Sequence, residues 1–136
     1  MRSETCRKGE IAKCAVLKRA YEKGVVVSIP TIDADYDALL DVGGRFVRAQ
    51  IKYVDGKVSH STGSVFLGLR RTTRNGKVLV YSRDDIDIIL AYLPSIDAVL
   101  WLPCELWEGK TSVTIRTHST KNNQKSGVVL AHDLMW

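Results

Sequence analysis

The chain has 136 residues, 45% hydrophobic and 26% charged, with a net charge of +5 and a pI near 9.2. That length fits one domain with a real core, and no apolar run approaches the roughly 20 residues a membrane-spanning helix needs. Three cysteines, Cys6, Cys14 and Cys104, form no C-x-x-C pair, which argues against a disulfide framework or a zinc ribbon and for buried free thiols in a reducing cytoplasm. The first residues show no secretory pattern, and the basic balance favours a polyanionic partner.

Residues 5–23 predict a helix. Ile11, Cys14, Ala15, Val16, Leu17, Ala20 and Tyr21 supply its apolar side, and Gly24 is a C-cap. Residues 25–30, VVVSIP, read as a short strand that Pro30 ends. Residues 36–42 and 45–53 read as a hairpin about Gly43-Gly44, because paired glycines accept the positive φ of a tight turn. Residues 54–63 are polar and read as a loop. Residues 64–72 and 78–81 predict a second hairpin, turning at Asn75-Gly76. Residues 86–93, 98–104 and 112–117 read as further strands. THSTKNNQKSG is a polar, basic loop, and residues 127–136 predict a short terminal helix. One helix followed mostly by strands gives an α+β domain: a mixed β-sheet flanked by the N-terminal helix, with an extra β-hairpin.

The first hairpin, YDALLDVGGRFVRAQIK, carries an unusual strand face. Arg48, Gln50 and Lys52 alternate and share one side, while Val47, Ala49, Ile51 and Tyr53 share the other. Counting from the turn, Asp37 falls opposite Gln50. Glu10 lies at helical spacing from Cys14, Leu17 and Tyr21, in the first turn of an expected inward stripe. Each residue alone also fits a plain role: Glu10 as an acid favoured near a helix N-terminus, Gln50 and Lys52 as a solvated strand face. Together they form a candidate hard-cation site with oxygen donors at Glu10, Asp37, Gln50 and the Ile51 main-chain carbonyl, and Lys52 alongside. Such a group suits phosphodiester hydrolysis. Mg²⁺, with Mn²⁺ as a substitute, would neutralise phosphate charge, and Lys52 would orient water or stabilise developing negative charge.

Asp37 followed by Gln50-Ile51-Lys52 across a hairpin, with Glu10 in the preceding helix, resembles the PD-(D/E)XK (restriction-endonuclease-like) nuclease core. Gln50 stands where the family usually has an acid, and Tyr36 where it often has proline. KGEIAKCAVLKRAYEKGVVVSIP, YSRDDIDIILAYLPSIDAVLWLP and TKNNQKSG are similar to segments of the small endonuclease group that includes the cyanobacterial group I intron homing endonuclease. The resemblance implies a metal-dependent DNA endonuclease with Glu10, Asp37, Gln50 and Lys52 as its active site.

Two basic stretches complete the reading. RRTTRNGK offers Arg70, Arg71, Arg74 and Lys77 on the second hairpin, and a two-stranded ribbon fits a major groove. RTHSTKNNQK offers Arg116, Lys121, Asn123 and Lys125 for phosphates and base edges. The expected substrate is double-stranded DNA cut at a specific site. The alternatives are a structure-selective nuclease such as a Holliday-junction resolvase, and an inactive DNA-binding module with the same fold. One active site per domain implies a homodimer or homotetramer for cutting both strands.

Overall fold

A computed structural model describes residues 3–58, 63–73, 75–118 and 128–136. Helix α1 spans Glu4–Lys23. The Ser3 hydroxyl caps its start by accepting the Cys6 N–H at 3.4 Å. Gly24, in the left-handed region at φ 71°, ends it. The strands are β1 (Val26–Ser28), β2 (Ala38–Val42), β3 (Arg45–Tyr53), β4 (Gly56–Lys57), β5 (Ser64–Gly68), β6 (Arg70–Thr72), β7 (Val78–Val80), β8 (Ile88–Leu93), β9 (Ala98–Pro103), β10 (Ser112–Arg116) and β11 (Val129–Leu130).

The expected mixed sheet is a five-stranded one, ordered β1-β2-β3-β8-β9. Its only parallel pair is β3 with β8, from Ala49↔Ile88 to Tyr53↔Tyr92. Gly43 and Gly44 both have positive φ, 58° and 80°, so they form the two-residue turn that the sequence predicts, closing on Val42↔Arg45. α1 covers one face of this sheet. Ala12 and Val16 pack there on Ala38, Leu40, Ala49, Ile51, Ile88, Leu90 and Val99. The opposite face, through Ile89, Ala91, Leu93, Leu100 and Leu102, packs on Val65, Leu67, Val113 and Ile115 of a second sheet. That sheet is ordered β11-β10-β5-β4. β8 is therefore buried on both faces, which explains its unbroken apolar run.

Three expectations are corrected here. The second hairpin is shorter than predicted. Only β6 and β7 pair, from Arg70↔Val80 to Thr72↔Val78, while β5 leaves at Leu69 to join the second sheet. The terminal segment is not an α-helix: Val129–Leu130 pairs in parallel with β10, and Ala131–Leu134 is a short 3₁₀ turn. The cysteines are free but not buried, since Cys6 and Cys14 are exposed and Cys104 is intermediate.

Candidate active site

The β2–β3 ladder runs from Val42↔Arg45 to Ala38↔Ala49. One step further sets Asp37 opposite Gln50, as the sequence count predicts. The Asp37 N–H still donates to the Ala49 carbonyl at 2.9 Å. The next rung is made differently. The Ile51 N–H donates at 2.9 Å to Oδ2 of the Asp37 side chain, and Gln50 Nε2 donates to the same oxygen at 2.7 Å. A carboxylate has replaced a main-chain carbonyl at the point where β2 begins. Bonds to a charged acceptor are the stronger kind, so this rung fixes the carboxylate against the strand.

The arrangement leaves oxygen donors together. Gln50 uses its amide N–H₂ on Asp37, so its Oε1 is the acceptor end that remains. Asp37 keeps Oδ1. A strand residue points its N–H and C=O to the same neighbour, so the Ile51 carbonyl emerges on the side of Asp37, beyond the last β2–β3 pair. One charged and two neutral oxygens are a donor set that fits a hard divalent cation. Among the described residues no cluster of three or more His, Cys, Asp or Glu side chains adds to it. His118 instead contacts Thr117 Oγ1 through Nδ1 at 2.9 Å.

Lys52 follows Gln50 on the same face. Its Nζ lies 5.0 Å from the centroid of the Tyr81 ring, which is 3% exposed. The Arg71 guanidinium lies 5.2 Å from that same ring. Arg71 Nη2 pairs with Asp85 at 2.9 Å and Nη1 with Asp35 at 3.4 Å. Its Nε is buried with no hydrogen-bond partner among the described residues. Nothing in the sequence marked Tyr81, which comes from the residue just past β7.

Arg48, the third residue of the polar face, ties β3 to the segment leading into β8. Its Nε and Nη2 grip Asp87 at 3.2 and 3.1 Å, and its guanidinium also donates to the carbonyls of Asp84 and Arg83. Its backbone N–H donates to Asp87 Oδ2 at 2.8 Å. The side-chain bonds of Arg48 hold the Asp87 carboxyl below the ordinary carboxylate range, against the opposing effect of burial. Asp87 thus serves structure at the head of β8.

Glu10 does not lie on the buried stripe. That stripe is Ala12, Val16 and Ala20, while Glu10 is exposed and pairs with Lys13 at 3.6 Å. Among the described residues Glu10 has no hydrogen bond to Asp37, Gln50 or Lys52. Of the basic residues, Arg70 and Lys77 are exposed on the β6–β7 ribbon. Arg71 is revised: neighbours on a strand face opposite ways, and its side chain turns inward to Tyr81 and two carboxylates. Arg116 is half-buried, donating to the His118 carbonyl at 3.3 Å and to Ser64 Oγ at 3.4 Å. Arg74, Lys121, Asn123 and Lys125 lie outside the described residues.

A search of curated proteins finds no match. Among solved structures, a bacterial homing endonuclease, I-Ssp6803I, superposes with a TM-score of 0.76 and 26% identity, over 98% of this chain and 89% of that one. MepB aligns at a TM-score of 0.43 and 14% identity, over 84% and 85%, a likeness too low to carry any argument. The family model of the PD-(D/E)XK endonucleases matches residues 3–135. That match spans the helix, both sheets and the Asp37–Gln50–Lys52 face, and the chain belongs to the PD-(D/E)XK endonuclease family.

Proposed function

We propose that this nuclease is a metal-dependent endonuclease that hydrolyses double-stranded DNA at a specific site, in the manner of a homing enzyme, with Mg²⁺ as its ion and Mn²⁺ as a substitute. The observation that carries the reading is the shared grip of Asp37 Oδ2 on Gln50 and Ile51, which gathers three oxygen donors at one strand edge beside Lys52. Its likeness to a homing endonuclease at 26% identity supports the substrate class.

Asp37 Oδ1, Gln50 Oε1 and the Ile51 carbonyl would hold the cation. A bound divalent ion supplies charge neutralisation at the phosphate and lowers the pKa of water. Lys52 orients the attacking water and meets negative charge as it develops on phosphorus-bound oxygen. Glu10 joins from the flank. It lies on α1, whose Ala12 and Val16 pack against Ala38, Ala49 and Ile51, next to the Asp37–Gln50 rung. β2 begins only at Ala38, so the β3 edge beyond Ala49 is open to a side chain arriving from α1. Arg70, Lys77 and Arg116, with Arg74, Lys121, Asn123 and Lys125, supply contacts to DNA phosphates and base edges. Two copies are required to cut both strands, as a homodimer or homotetramer acting inside the cell.

The test is cleavage of plasmid libraries and of four-way junctions by purified protein with Mg²⁺, Mn²⁺ or EDTA. Metal-dependent double-strand cuts at one duplex site are expected. Junction preference would replace this reading with a resolvase. DNA binding without nicking in any metal would replace it with an inactive binding module.

A further inference from the structure

We infer that Tyr81 is a positioning residue, whose ring face holds the Lys52 ammonium at the reacting edge; the inference rests on the catalytic reading of Lys52 above. A lysine has a long flexible stem, and its ammonium needs a partner if it is to keep one place. Among the described residues Lys52 forms no salt bridge, and the Tyr81 ring 5.0 Å away is the partner it has. The choice of an aromatic partner has chemical consequences. A carboxylate would cancel the charge and occupy an N–H. A ring attracts the cation through its π face without neutralising it, so its charge and N–H donors remain for water and phosphate.

The ring itself is well fixed. Tyr81 packs into the core between the two sheets, and its carbonyl accepts the Gly109 N–H at 3.2 Å. Arg71 approaches the same ring at 5.2 Å. A second cation there would repel Lys52 if its charge were uncompensated, but Asp35 and Asp85 both pair with it. Asp35 stands two residues before Asp37. One connected set of contacts thus runs from the approach to Asp37, through Arg71 and Tyr81, to Lys52. It joins the two chemical groups of the site by a route other than the β2–β3 ladder.

The experiment varies the π density of the ring at constant shape. Position 81 is changed by Tyr81→Phe, and then to phenylalanine carrying two and three fluorines, each variant checked for an unchanged melting temperature. Single-turnover cleavage and DNA affinity are measured in the wild-type and Lys52→Ala backgrounds. The expected result is near-full activity for Tyr81→Phe, then a stepwise fall in rate of about 3- to 30-fold in all, with DNA affinity unchanged. The series should be flat in Lys52→Ala. A flat series in the Lys52 protein, with Lys52→Ala itself slow, overturns the role of Tyr81 alone. A Lys52→Ala protein that cuts at the wild-type rate removes the catalytic reading of Lys52, and this inference with it. A second measurement needs neither metal nor DNA. The Lys52 ε-methylene protons should show an upfield ring-current shift, kept in Tyr81→Phe and lost in Tyr81→Leu, and its absence in wild type overturns the inference.

Discussion

Asp37→Asn separates the charge of the carboxylate from its shape. In the native site Oδ2 accepts from Gln50 Nε2 at 2.7 Å and from the Ile51 N–H at 2.9 Å. The asparagine carbonyl has two lone pairs and can keep both bonds, now as neutral ones. A bond to a charged group contributes about 1.5–3 kcal/mol and a neutral one about 0.5–1.5 kcal/mol, so two weakened bonds cost roughly 2–3 kcal/mol. The site is half-exposed, so water offsets part of that, and the melting temperature should fall by no more than about 10 °C. The other end of the new amide is a donor, Nδ2, facing the place where Oδ1 would hold a cation. Metal-derived stabilisation is worth several kcal/mol, and 4 kcal/mol corresponds to roughly 10³-fold in rate. Asp37→Asn should therefore fold, bind DNA as tightly as wild type or more so, and cleave at least about 10³-fold slower. The assay is single-turnover cleavage beside filter binding and thermal melting. A folded Asp37→Asn protein that cuts within tenfold of wild type would refute the assignment of Asp37.

Lys52→Ala should slow cleavage by roughly 10²–10⁴-fold, and Lys52→Arg should restore only part, because a guanidinium is bulkier and holds its proton; equal single-turnover rates for all three proteins would remove Lys52 from the mechanism. Gln50→Glu should lower the Mg²⁺ concentration needed for half-maximal rate and Gln50→Leu should raise it, since oxygen sites gain affinity with ligand charge; identical metal curves would mean that Gln50 is no ligand. Arg70→Ala and Lys77→Ala should each reduce the salt dependence of DNA binding by about one unit of slope, whereas Arg71→Ala should lower the melting temperature and leave the slope alone. Unchanged slopes for Arg70 and Lys77 would place the DNA elsewhere. Because Arg48 holds the Asp87 carboxyl below its ordinary value, that group's stabilisation is full above about pH 4, near the unfolded carboxyl value, and is lost as pH falls through the lower folded value. Denaturant midpoints measured below pH 4 should fall more steeply for wild type than for Asp87→Asn, and parallel curves would contradict the pairing.

The register of the first hairpin was legible because its determinants are local. Two glycines force the turn, and the turn fixes every later pair. Asp37 opposite Gln50 follows from counting. The helix was legible in extent but not in orientation. Cys14, Leu17 and Tyr21 look like an inward stripe because they are larger, yet Tyr21 is 83% exposed and the contact is made by Ala12, Val16 and Ala20. Small residues let a helix lie close against a sheet, so the wider apolar set faces the flank. The second sheet was hidden for another reason. Val65, Leu67 and Leu69 alternate without interruption into Arg71, so nothing in the pattern marks the exchange of partners at Leu69. β4 and β11 are two residues each, too short to show a period. Lys52 and Arg71 meet the Tyr81 ring only through tertiary packing across three separate segments, and no spacing rule reaches that far.

The position of the site follows from the way β2 ends. A strand lying beside β3 along its whole length would have claimed the Ile51 N–H and carbonyl for the ladder. β2 starts only at Ala38, so at Ile51 the edge of a central strand is open within the sheet, not at its border. An open rung costs about 1–3 kcal/mol when its groups stay buried and unpaired. Asp37 offsets half of that by bonding the N–H with its carboxylate, and the carbonyl is left as a ready oxygen donor. A neutral Gln50 is what allows this rung to stand in the absence of a cation. Its amide donates to Asp37 at 2.7 Å, whereas a second carboxylate at that separation would repel the first and raise the pKa of one of them. The glutamine that departs from the family's usual acid therefore makes the site self-supporting. In the proposed metal site it would exchange ligand charge for a preformed geometry, and an oxygen set that is already assembled has less conformational freedom to lose when an ion and a phosphate arrive.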